Sequence, residues 1–138
     1  MRLGSTLPDM VSAGSPRRKR ILVVDDDPDI LSILRDRLHC YGYAVETAGD
    51  GREALAALEL STYDAMLLDV DMPKLNGLDV LRHLRETNQQ MPVAIMTGLN
   101  EKERIVRAAR EICQAFLLKP FHLTELKQTL ERWFRPSN

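Results

Sequence analysis

Five short apolar runs, separated by stretches of helical periodicity, limit this chain to few architectures. The runs are ILVV (21–24), a weaker YAVET (43–47), AMLL (65–68), VAIM (93–96) and AFLL (115–118). Each has the length of a strand and an aliphatic composition. After each run, apolar residues recur every three or four positions. The stripes are Ile30, Leu34 and Leu38; Ala54, Leu55 and Leu58; Leu78, Leu81 and Leu84; Ile105, Ala108, Ala109 and Ile112; Leu123, Leu126, Leu130 and Trp133. That spacing puts one apolar face on each of five helices. Helix starts are marked too. Asp27-Pro28 has the form of an N-cap with proline at the first helical position, and Asp50 with Glu53, or Asn100 with Glu103, fits a cap followed by an acid three residues on. Strict alternation of five strands and five helices predicts an α/β fold: a doubly wound, five-stranded parallel sheet with helices on both faces.

At 138 residues the chain suits one domain, long enough to bury roughly two-thirds of its unfolded surface. Its net charge of −1 gives the domain no bias toward nucleic acid or an anionic membrane. Cys40 and Cys113 match no metal or redox spacing and read as small apolar residues carrying reduced thiols. No apolar run approaches a membrane span, and the N-terminus lacks the apolar core of a signal peptide. A cytoplasmic protein is expected. Residues 1–18 form an unpatterned leader rich in Gly, Ser and Pro. With Arg20 it ends in the basic run Arg17-Arg18-Lys19-Arg20, read as solvated charge beside the first strand. Residues 19–135 form the domain and 136–138 a tail.

In an open sheet of this kind, ligands bind beyond the carboxyl ends of the strands. The unusual polar residues fall at those ends: Asp25 and Asp26 after the first run, Asp69 after the third, Thr97 after the fourth and Lys119 after the fifth. Asp27 is left to cap the first helix. Two carboxylates about 4 Å apart repel by roughly 1 kcal/mol in water and about 4 kcal/mol at an effective dielectric near 20. Lys119 offsets one charge, and the oxygen-rich cup that remains suits Mg²⁺. His39, His83 and His122 are scattered and take no site.

The motifs VVDDD, LLDVDMPKLNG, VAIMTG and FLLKPF, in this order and spacing, resemble the receiver domain of two-component response regulators over about Arg20 to Phe134. The likeness extends to the single-domain chemotaxis regulator of bacteria. It implies strand order 2-1-3-4-5 and a set of roles. Asp69 would accept a phosphoryl group from a sensor histidine kinase or phosphotransfer protein. Asp26 and Asp69 would hold Mg²⁺ directly, with the main-chain carbonyl of Asp71 as a third ligand and Asp25 acting through water or by orienting its neighbour. Thr97 and Lys119 would contact phosphoryl oxygens, and Lys119-Pro120 would be cis. Pro73 and Gly77 would shape the loop after the third strand. No turnover substrate is implied. Thr97 and Phe116 would form the switch, with Phe116 acting through packing because it lacks a hydroxyl. The fourth helix, fifth strand and fifth helix would face a downstream effector.

Other features bear on these roles. Glu103–Arg107 and Arg107–Glu111 are spaced for intrahelical pairs on a mixed-charge face. Of Trp133 and Phe134, one would complete the core and the other offer an edge for a homodimer. Asp71 and Leu99, two residues after Asp69 and Thr97, flank the pocket in positions that tune phosphoryl lifetime in the family. Two rival readings exist. Asp69-Val70-Asp71 fits the DxD of haloacid-dehalogenase-like phosphatases, though on the third strand instead of the first. A pseudo-receiver that never takes phosphate is the other.

Overall fold

The computed structural model describes residues 17–71, 77–87 and 90–135. Pro73, the leader through residue 16, the tail 136–138 and the side chain of Leu99 lie outside the described residues. The element order is β1 (Arg20–Val24), α1 (Pro28–Cys40), β2 (Ala44–Ala48), α2 (Gly51–Leu60), β3 (Ala65–Asp69) and α3 (Gly77–Glu86). There follow β4 (Val93–Gly98), a 3₁₀ turn (Leu99–Glu101), α4 (Lys102–Ala109), β5 (Ala115–Lys119) and α5 (Leu123–Phe134). All strand pairs are parallel and the order is β2-β1-β3-β4-β5, as expected.

Alternation along the strands divides the core in two. Leu22, Val24, Met66, Leu68, Val93 and Ile95 pack with α2, α3 and α4 on one face. Ile21, Val23, Ala65, Leu67, Ala94, Met96 and Leu117 pack with α1 and α5 on the other. The inner strands are covered on both sides, which explains why they read as unbroken apolar runs instead of alternating ones. Each leucine so enclosed contributes about 2 kcal/mol.

Two of the three helix starts read from sequence form as expected. Asp27 caps α1 by accepting the Asp29 amide at 2.9 Å, with Pro28 in the first turn. Asp50 accepts the Glu53 amide at 2.8 Å, and Glu53 reaches back to the Gly49 amide at 2.8 Å. The third does not. β4 runs on to Gly98, Asn100 falls inside the 3₁₀ turn, and Glu101 becomes the residue before α4. Glu101 also takes the charge partner: its carboxylate lies 2.7 Å from Arg104. Among the described residues neither of the expected pairs, Glu103–Arg107 and Arg107–Glu111, forms: Glu111 is past the end of α4, which stops at Ala109, and nothing in the structure explains the missing Glu103–Arg107 pair.

Trp133 and Phe134 both pack against the α1/α5 layer. Phe134 meets Tyr43 at 5.9 Å between ring centres, with the Lys19 ammonium 5.5 Å above its ring. Among the described residues, the large apolar side chains left open are Ile33 and Leu60.

Candidate functional site

Parity explains which rim residues meet. Asp25, Asp69 and Lys119 continue the series 21-23, 65-67 and 115-117, whose side chains enter the α1/α5 layer. They converge above that layer. The Lys119 Nζ donates to Asp25 Oδ2 at 3.0 Å and lies 3.2 Å from Asp69 Oδ2. Thr97 and Phe116 continue the opposite series. Phe116 pairs in register with Ile95 and Thr97 with Leu118, and Phe116 packs half-buried against the α2/α3/α4 layer. Acidic pocket and expected switch therefore lie on opposite faces of the sheet, with Thr97 near the rim and Phe116 deeper, beside Ile95. Thr97 is fully buried, and its hydroxyl finds the Gly98 carbonyl at 3.5 Å, at the limit of a hydrogen bond.

The carboxylates are held by backbone as well as by lysine. Asp25 Oδ1 accepts the Asp27 amide and Asp69 Oδ1 accepts the Asp71 amide, each at 2.9 Å. Asp25 and Asp69 are both 1% exposed, while Asp26 faces solvent. Burial, with Asp25 adding to it, pushes the Asp69 carboxyl up to about 6 against the opposing pull of the Asp71 amide and Lys119. Burial acts to lower Lys119, but Asp25 and Asp69 outweigh it and hold the ammonium above its ordinary value.

Oxygen atoms of Asp25, Asp26 and Asp69 lie within 4.8 Å of one another. This donor set is made of hard oxygens with one open side at Asp26, which fits a divalent cation that retains water. Three carboxylates face one ammonium, and the charge left over is what such an ion would neutralise.

Two features escaped the sequence reading. Gly77 is the first residue of α3, not a loop position, and it rests on the backbone of Asp69 and Val70. A Cβ there would lie 2.6 Å from the Asp69 carbonyl oxygen and 2.8 Å from Val70 Cα. Asp71, expected beside the pocket, turns its carboxylate to β4 and accepts the Gly98 amide at 3.1 Å. That hydrogen bond commits its carboxylate to the backbone of β4, away from the acid/base role that a dehalogenase-type DxD assigns to it. The Lys119-Pro120 bond is cis.

A parallel sheet in this order, with an acid cup at its carboxyl rim, places the chain in the doubly wound, flavodoxin-like class of α/β domains. The profile described as "Response regulator receiver domain" matches residues 21–131. The response regulator MprA of Mycolicibacterium vanbaalenii is 44% identical over 107 residues, covering 78% of this chain and 46% of that protein. MprA of Mycobacterium avium is 43% identical over the same length. The chain thus spans less than half the length of these relatives. Among solved structures, the Francisella response regulator 1452 receiver domain aligns with TM-score 0.79 at 30% identity, over 86% of this chain and 98% of that one. The Thermotoga maritima response regulator TrrA, in complex with Mg²⁺-BeF, aligns with TM-score 0.75 at 31% identity, over 84% and 99%. This chain belongs to the response regulator receiver domain family of two-component signalling.

Proposed function

We propose that Asp69 is the phosphoacceptor of this receiver domain. One observation carries the reading: a buried carboxylate at a strand tip, 3.2 Å from a lysine, beside two further acids. In the transfer, the donor's bond to phosphorus breaks as an Asp69 oxygen forms a new one, so no redox change is needed. Such a step asks for positioning and charge stabilisation more than for covalent chemistry.

Asp26 and Asp69 would hold Mg²⁺, joined by the main-chain carbonyl of Asp71, with Asp25 orienting Lys119. When bound, the ion would supply positive charge to the oxygens of the transferring phosphoryl group. The carboxylate cluster and the Mg²⁺-BeF complex of a structural neighbour support this assignment. Lys119 binds a phosphoryl oxygen, and Thr97, with no firm partner for its hydroxyl, turns to another. Phe116 then repacks against Ile95 and α4, and the face formed by α4, β5 and α5 changes shape for a downstream effector. The donor is the phosphohistidine of a sensor kinase or phosphotransfer protein, as the family implies. A cytoplasmic location fits that donor, and among the described residues no helix is long and apolar enough to cross a membrane.

The test is incubation of wild type and Asp69→Asn with a small phosphodonor, with and without Mg²⁺. One acid-stable, hydroxylamine-labile phosphate is expected on wild type alone, and only with the metal. Labelling of Asp69→Asn, or turnover of a small phosphomonoester without stoichiometric self-labelling, would overturn the assignment.

A further inference from the structure

We propose that the Asp71 carboxylate is an internal stand-in anion, occupying the Gly98 amide at the end of β4 until a phosphoryl group on Asp69 displaces it. The inference rests on Asp69 being the acceptor. Asp71 bridges two strand tips with two hydrogen bonds. Its amide donates to Asp69 Oδ1 at 2.9 Å, and its Oδ2 accepts the Gly98 amide at 3.1 Å. Gly98 is the register partner of Lys119, whose ammonium touches Asp69, and directly follows Thr97. Gly98 therefore ends the strand next to the one that carries Asp69, two residues past Met96, the register partner of Asp69, and the anion on its amide belongs to the protein itself.

A phosphoryl group brings roughly two negative charges and several strong acceptor oxygens to Asp69. It repels the Asp71 carboxylate, whose own backbone is bonded to Asp69, and it competes for the same amide. Releasing the clasp frees Gly98, which leads directly into the 3₁₀ turn (Leu99–Glu101) and α4. Asp71 acts on the reaction through Gly98 and is a positioning residue. It makes the empty pocket stable in a closed arrangement and charges the incoming anion for opening it.

Two variants separate the clasp from simple repulsion. Asp71→Asn removes the charge but keeps an oxygen to accept the Gly98 amide; Asp71→Ala removes both. In the metal-free protein, hydrogen exchange of the Gly98 amide should be slow in wild type and Asp71→Asn and faster in Asp71→Ala. Beryllium fluoride with Mg²⁺ should bind Asp71→Ala about fivefold more tightly than Asp71→Asn, the equivalent of one ordinary hydrogen bond, and the gap should persist in high salt. Equal binding by the two variants, or a Gly98 amide unaffected by Asp71→Ala, would overturn the clasp. Failure of wild type to bind the probe at all would instead count against Asp69 as acceptor, while the exchange rates would still report on the clasp.

Discussion

The two ends of the sheet each gather acids around a single cation, yet their electrostatics run in opposite directions. At the amino end, Arg20 pairs with Glu46, donates to the Thr62 carbonyl at 2.9 Å, and lies 4.9 Å over the Tyr63 ring. Its amide donates to Asp64 at 2.7 Å, and the Tyr63 hydroxyl donates to Glu46. The hydrogen bond from Tyr63, followed by Arg20, holds the Glu46 carboxyl below its ordinary value; burial and then Glu46 push the Tyr63 phenol up to about 12. At the carboxyl end, Asp69 rises to about 6. The ingredients are alike, and desolvation makes the difference: the Glu46 side chain is 50% exposed, whereas Asp69 is shut away. Where pairing exceeds burial, acids build a closed clamp. Where burial exceeds pairing, they leave an unmet demand for a cation. The clamp also corrects one reading of the basic run, since Arg20 is a strand residue with fixed partners.

Several substitutions sharpen or break this contrast. The largest effect belongs to Gly77→Ala, which forces a methyl group onto the Asp69 backbone. It should cost about 3 kcal/mol in urea unfolding and abolish phosphoryl labelling, because the acceptor moves with its strand tip. Next comes the metal itself. At about one hundred times its dissociation constant, Mg²⁺ should stabilise wild type by about 2.7 kcal/mol and leave an Asp26→Asn/Asp69→Asn double variant unchanged, read as the shift in unfolding midpoint.

A smaller effect separates the ends by pH. The folded-state value of Asp69 is raised from 3.8 to about 6, so the stability of metal-free protein is highest with Asp69 protonated and falls as pH rises between those values. Asp69→Asn should remove that decline and gain on the order of 1 kcal/mol at pH 7, less than the full shift because the variant also gives up the ion pair with Lys119. No gain should appear near pH 3. A midpoint unchanged at neutral pH would show that Lys119 already satisfies both acids.

The amino end should respond in the opposite sense and least. Glu46 is lowered from 4.5, so its contribution is present above that pH and lost as the solution becomes more acidic. Glu46→Gln should cost about 0.5–1 kcal/mol at pH 7, as expected for a partly exposed pair, and nothing near pH 3. Labelling of Asp69 should be unaffected.

Much of this could be read from the chain because strand tips are marked by apolar runs ending in a charge. Asp25, Asp69 and Lys119 lie at equivalent points of their runs, so any parallel sheet brings them to one rim. The caps at Asp27 and Asp50 are local hydrogen bonds and are equally visible. The start of α4 was misread because a cap pattern at Asn100 is weaker than the pairing of β4 with β5, which extends the strand to Gly98 opposite Lys119.

Local chemistry determined that this chain alternates strands and helices and that its acids and lysine end the strands, and the motifs at those ends resemble those of a receiver. The separation of a charged pocket above α1 and α5 from Thr97 and Phe116 on the other face required the register between strands. So did the meeting of Gly77 with the Asp69 carbonyl and of Asp71 with Gly98. These contacts join atoms distant along the chain, and their distances are set by how neighbouring strands and helices pack, a quantity that no single segment contains.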